Sequence, residues 1–241
     1  MSPTPFFILA LFSIFIIFLW YLYFLFFQYF PPKNTVFKIK IKNKFLALTF
    51  DDGPNPPSVL EILEILKKYN LKATFFQIGE NIKKHPEITK KIFEKEHIIG
   101  NHLFNHKFLV SLSFTALEKD LAKTQDLIFQ VIKKRPRFFR PPYLFISPAV
   151  LKIVQKHNLI LVGSTAFSIF EPSQPPASFM VFEVLKKISP GAILTFHEGC
   201  DIRMGNYKET VKAVSKIIPK ILEKGYKILP LSDLLGAPPY L

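Results

Sequence analysis

Three patterns of apolar residues follow one another along the chain. From Phe6 to Phe30 the run FFILALFSIFIIFLWYLYFLFFQYF contains no charged residue. At 1.5 Å of rise per residue it can cross a hydrocarbon core of about 30 Å, so one N-terminal transmembrane helix is expected. A cleavable signal peptide would have a shorter apolar stretch, about 7 to 15 residues, and then a small-residue cleavage site. Here Tyr29, Phe30, Pro31 and Pro32 follow, which favours an uncleaved anchor.

Beyond Lys44, short β-rich runs alternate with segments of helical period. The runs are KFLALTF 44–50, KATFFQI 72–78, HIIGN 97–101, RFFR 137–140, LILVGST 159–165, AILTFH 192–197 and KILPL 227–231. Between them, apolar residues recur at helical spacing from Ser58 and from Thr115. Ser147 and Pro148 suit the N-cap and first turn of another helix. A last helix is expected to stop at Gly225 and to kink at Pro219. Alternation of this kind predicts an α/β fold with a parallel sheet of about seven strands, a closed or nearly closed barrel in preference to an open doubly wound sheet. The chain thus divides into an anchor at 1–30, a linker at 31–43 whose Lys-Ile alternation could form a strand, and one domain at 44–241.

Composition changes the picture in two places. The apolar share is 49% with 27 Phe, high for a chain that meets only water. The net charge of +14 suits anionic lipid or an anionic polymer. No nucleic-acid recognition motif accompanies that charge, and there is no P-loop or Gly-x-Gly-x-x-Gly, so nucleic-acid and nucleotide partners are not expected. Cys200 is the single cysteine, which excludes an intrachain disulfide and a thiolate metal cluster.

Chemistry gathers where strands end, because in parallel α/β folds the C-terminal strand ends converge on one face. The first strand ends in Asp51 and Asp52, the third runs into His102 and His106, the fourth into Arg140–Tyr143, and the sixth into His197 and Glu198. His102 and His106 are four positions apart, so a helical turn would aim both at one ion. Two imidazoles and a carboxylate are a common zinc set with a position left for water. His85, His97 and His157 are read as structural.

TFDDGP 49–54, GNHLFNH 100–106, RPPY 140–143 and LTFHEG 194–199, in this order, resemble the polysaccharide deacetylase family, carbohydrate esterase family 4. The resemblance runs over roughly residues 44 to 236. It implies a deformed (β/α) barrel and metal-dependent removal of acetyl groups from N-acetylated sugars of a glycan, peptidoglycan or chitin-like. It also implies that Asp52, His102 and His106 bind the metal, zinc first, with cobalt, nickel or manganese as alternatives. By the same resemblance Asp51 is the general base, His197 the general acid, and Arg140 pairs with the base, while the backbone N–H of Tyr143 holds the oxyanion. Pro141, Pro142 and Leu194, within these motifs, are expected along the substrate groove.

Three departures from the family's pattern stand out. The stretch after the fifth strand, LVGSTAFSIFEPS, lacks the family's usual Asp and Trp; Glu171 is the acid within reach and Phe167 or Phe170 could form an apolar wall. Leu103 stands between the two histidines where the family usually has Ser or Thr, and Glu198 replaces a common Asp. An O-acetyl sugar esterase and a catalytically silent glycan-binding protein are the alternative readings. A wall glycan requires an extracytoplasmic domain, whereas Lys33, Lys38, Lys40, Lys42 and Lys44 behind the apolar run favour a cytoplasmic one.

Overall fold

The structure is a computed structural model that describes residues 30–106, 113–199 and 207–241, with scattered positions between 11 and 26. The expected span at 6–30 therefore lies largely outside the described residues, as does Cys200. The described positions between 11 and 26 are helical, and Phe30 is a bend. Among the described residues no helix is long and apolar enough to cross a membrane.

Among the described residues, eight strands form one parallel sheet: β1 (Thr35–Val36), β2 (Phe45–Gly53), β3 (Thr74–Gln77), β4 (Ile98–Asn101), β5 (Phe138–Phe139), β6 (Ile160–Val162), β7 (Ile193–His197) and β8 (Lys227–Ile228). Their order is β1-β6-β5-β4-β3-β2-β7, with β8 paired to β2 off this path. The helices are α1 (Ser58–Lys68), α2 (Gly79–Lys84), α3 (Pro86–Glu94), α4 (Phe114–Ile132), α5 (Pro148–Lys156), α6 (Ala177–Lys187), α7 (Lys208–Glu223) and α8 (Leu231–Leu235). The seven runs read as strands all contain strands, most of them shorter than the apolar text around them. Ser147 caps α5 by accepting from the Val150 N–H, and α7 continues through Pro219.

The stretch 31–43 contributes to the barrel. β1 pairs with β6, Phe37 and Ile39 are buried, and the Ile39 N–H donates to the Gly191 carbonyl. This segment thus spans the gap between the edge strands β1 and β7. The strand of this stretch is Thr35–Val36, and the Lys-Ile alternation after it is an extended strap outside the sheet, with Lys38 and Lys40 exposed.

Strand side chains alternate between faces, which sorts the core. Leu46, Leu48 and Phe50 of β2 and Leu194 and Phe196 of β7 pack under the helices in the main cluster. Ala47, Phe76, Ile98, Phe138, Val162 and Ile193 fill a second cluster on the opposite, concave face. On β2 that face continues from Ala47 through Thr49 to Asp51, and on β7 from Ile193 through Thr195 to His197, with Asp51 in register with His197. The barrel interior is apolar at its base and ionisable at its mouth.

Candidate active site

The β2 end departs from regular strand geometry. Consecutive strand residues point to opposite faces, yet Asp51 and Asp52 both serve the mouth. The register with β3 shifts between Phe50 and Gly53, and Asp52 has a φ of 69°. A bulge with one left-handed residue re-aims the second acid. Leu103 (φ 65°) and Tyr143 (φ 57°) also occupy the left-handed region, beside the histidines and after β5. Backbone strain of this kind persists where surrounding structure over-determines it, commonly at functional sites.

Asp51 belongs to Arg140. The guanidinium is fully buried and donates to Asp51 Oδ1 at 2.6 Å, Thr49 Oγ1 at 2.9 Å, the Gly163 carbonyl at 2.7 Å and the Val162 carbonyl at 3.0 Å. It lies 4.2 Å from the centroid of the Phe76 ring. Fixed on so many sides, it holds one carboxylate oxygen in a single place. Thr49 had a signal in the sequence, two residues before Asp51 on the same strand face.

Asp52 belongs to the histidines. Its Oδ1 is 3.2 Å from His102 Nε2 and 3.3 Å from His106 Nε2, and the ligand atoms of the three residues lie within 4.8 Å of one another. His102 Nδ1 is 2.7 Å from the Arg140 carbonyl, which can only accept, so Nδ1 carries the proton. In the neutral ring this leaves a lone pair on Nε2, aimed at a carboxylate oxygen that is itself buried with no hydrogen-bond partner. Two acceptors in this arrangement are complementary to a cation between them, so the donor set fits a divalent metal. Burial raises the Asp52 pKa, but His102, His106 and His197 outweigh it and bring it down to about 2.

The helical turn expected between the histidines is absent; both sit on an irregular loop after β4. That loop is fastened from outside. The Phe104 and Asn105 N–H groups donate to Asp120 Oδ2 on α4, and the Leu103 N–H to Asn101 Oδ1. Leu103 itself is buried in a core cluster. Asp120 gave no sequence signal, because it reads as an ordinary polar helix position.

His197 is held by Glu171. Its Nδ1 is 2.8 Å from Glu171 Oε2, and its own backbone N–H donates to Oε1 at 2.9 Å, an oxygen that also accepts from Thr210 Oγ1 at 2.9 Å. Burial lowers the His197 pKa, but Glu171, Asp52 and Asp51 lift it to about 10. Glu198 is fully buried against Gly53, where an added Cβ would lie 1.7 Å from its Oε1. Burial pushes its pKa well up, the Asn55 N–H opposes that, and Asp52 and Asp51 add to it.

Tyr143 is half exposed, with its ring 4.6 Å from that of His106, and Phe170 is exposed beside Phe179. Pro141 and Pro142, which precede Tyr143 in sequence, are buried. Leu194 does not line a groove: it is fully buried under the helices, because it alternates with the inward-facing Ile193 and Thr195. His97 accepts from the Ala73 N–H and His157 contacts Glu118, both away from the mouth.

A parallel barrel whose mouth collects two aspartates, three imidazoles and a buried arginine, with Glu171 and Glu198 behind them, has the parts of a hydrolase. The chain belongs to the polysaccharide deacetylase family, which its residues 38–162 match. It is a hydrolase of that class, acting on amide bonds of acetylated sugars. A peptidoglycan-N-acetylglucosamine deacetylase of Bacillus cereus is 31% identical over 206 residues, covering 85% of this chain and 94% of that protein. Among solved structures, a peptidoglycan N-acetylglucosamine deacetylase in complex with an N-oxidanyl-benzamide superposes with a TM-score of 0.81 at 30% identity, covering 86% of this chain and 94% of the other. A carbohydrate esterase family 4 pseudoenzyme from Bacillus anthracis has a TM-score of 0.76 at 28% identity, covering 83% and 68%.

Proposed function

We propose that this protein is a membrane-anchored, metal-dependent N-deacetylase of a wall glycan, peptidoglycan first and a chitin-like polymer second. The observation that carries the reading is the separation of two adjacent acids, Asp51 on Arg140 and Asp52 on His102 and His106, with His197 in register across from Asp51. Asp52, His102 and His106 would hold a divalent ion, zinc first, with cobalt, nickel or manganese as alternatives. When bound, such an ion lowers the pKa of a water and polarises the acetyl carbonyl.

The remaining steps fall to this chain's own groups. Asp51, oriented by Arg140, takes the proton of the attacking water as its oxygen bonds to the acetyl carbon. The Tyr143 N–H supports the oxyanion, a donation of a kind worth about 10²–10³ in rate. The C–N bond then breaks as His197, through Nε2, gives its proton to the departing nitrogen, so that acetate and a glycan amine are formed. Glu171 takes the place of the family's missing acid by holding Nδ1 of that histidine, and Phe170 and Tyr143 offer apolar faces to the sugar.

The test is acetate release by the metal-loaded protein from N-acetylglucosamine oligomers, peptidoglycan and O-acetylated xylan. Release from the first two supports the reading, and release from xylan alone would replace it with the esterase. Binding of these glycans without acetate release by the loaded protein would overturn the reading.

Glu171→Gln supplies a sharper check through pH. A general acid works while protonated, and the Glu171 carboxylate raises the His197 pKa, so the alkaline limb of the wild-type profile is expected above the ordinary imidazole range. Without the Glu171 charge that limb moves down by more than about one unit toward the ordinary imidazole value. The stability linked to this raised pKa is present below about pH 6.5 and is lost as pH rises through about 10. An unmoved limb would remove Glu171 from the mechanism.

The anchor reading rests on the uncharged run from Phe6 to Phe30, and the extracytoplasmic side on the wall substrate, against the lysines that follow the run. A reporter fused after Leu241 that is active only in the cytoplasm would reverse the orientation.

A further inference from the structure

The two ends of the barrel differ in charge, and the chain enters at the basic one. All strands are parallel and the site lies at their C-terminal ends, so the start of β1 lies at the opposite end. Only residues 31–34 separate it from the apolar run. The connections that lead into β2, β3, β4, β5 and β8 carry Lys44, Lys72, Lys95, Lys134 and Lys224. The helices before β6 and β7 end on Lys156 and Lys187. At the catalytic end, the described connections leaving β2 to β8 carry no exposed Lys or Arg, Arg140 being buried. Lys123 over the Phe104 ring and Lys208 at the start of α7 are exposed cations near that end. The connection leaving β1, with exposed Lys38 and Lys40, runs back to the start of β7 at the basic end.

Favourable placement of cations at helix C-termini explains Lys156 and Lys187. It does not explain Lys44, Lys72 or Lys134, which lie beyond the helix ends. Glu96 pairs with Lys72 and Glu64 lies near Lys95, whereas Lys42, Lys134 and Lys224 stand exposed.

We infer that this basic end docks on anionic phospholipid headgroups, holding the catalytic mouth away from the bilayer. The inference rests on the anchor reading, since a four-residue tether, about 14 Å at full extension, confines this end to the neighbourhood of the headgroups, where an anionic surface attracts basic residues. A lipid surface is the occupant because the apolar run is continuous with this end and the charge is complementary. The substrate is then a polymer reached from the far side and not a glycan still linked to lipid in the same membrane. The competing membrane face is the exposed group Ile169, Phe170, Phe179 and Phe182 near the mouth.

The experiment uses the full chain, Cys200→Ser, in phosphatidylcholine nanodiscs with and without phosphatidylglycerol and with a headgroup-borne nickel relaxant. Single spin labels are placed by Asn43→Cys at the basic end and by Ile169→Cys near the mouth. Phosphatidylglycerol is expected to increase relaxation at position 43 several-fold and leave 169 unchanged, and Lys42→Gln/Lys134→Gln/Lys224→Gln or high salt should abolish the gain. An effect at 169 in place of 43, indifference to lipid charge, or equal protection of 43 by soluble polyglutamate in neutral nanodiscs would overturn the docking. A chain that fails to remain in nanodiscs of either composition would instead overturn the anchor, and the docking with it.

Discussion

Asp52→Ala and His106→Ala are each expected to bring bound metal from about one equivalent to near background, and acetate release down by at least about 10³-fold. The reason is geometric. The Asp52 oxygen lies 3.2 and 3.3 Å from the two imidazole nitrogens, and removing any corner leaves two ligands for a site that needs three. Metal content by elemental analysis, on protein whose folding is verified by circular dichroism, reads the result without any choice of substrate. Retention of a full equivalent in both variants would move the metal elsewhere and dissolve the hydrolytic reading of this mouth. The metal-free protein carries a related signature. Because the Asp52 pKa is depressed to about 2, its contribution to stability is present above about pH 4 and is lost as pH falls toward 2.

Asp51→Asn is expected to do the reverse of Asp52→Ala: metal stays near one equivalent while kcat falls by about 10²–10⁴, the span of a general base. Asn keeps the size and one oxygen for Arg140 but cannot accept the water's proton, so KM should change little. Equal loss of metal in Asp51→Asn and Asp52→Ala would mean that the two acids act as one ligand pair. The contrast between them is the central claim, since they are neighbours in sequence and almost equally buried, with exposures of 5% and 4%. What separates them is the partner each meets across the barrel.

Much of this was legible in the residues. Parallel strands follow from short apolar runs alternating with helical periods, and the ionisable groups at the ends of those runs meet because parallel strands share one C-terminal face. Glu171 was reachable as the acid nearest the altered motif, and the structure puts it on His197 at 2.8 Å. Leu194 was legible too, for period two places it opposite His197's face; reading it with its motif put it in the groove, while the alternation puts it under the helices. The spacing of His102 and His106 was ambiguous, because four residues close a helical turn or an irregular loop equally well, and the loop won where Asp120 and the left-handed Leu103 shape it.

By itself the sequence determined which residue types stand at which strand ends, and with them the family, the barrel and the uncharged N-terminal run, because these depend on local periodicity and composition. Only the tertiary structure decided which acid faces the imidazoles and which the guanidinium. That choice is made by a bulge at Asp52, by an arginine 89 positions from Asp51, and by Thr210, 39 positions from Glu171. Contacts across such separations are set by how strands stack around the barrel, and no local pattern in the chain records them.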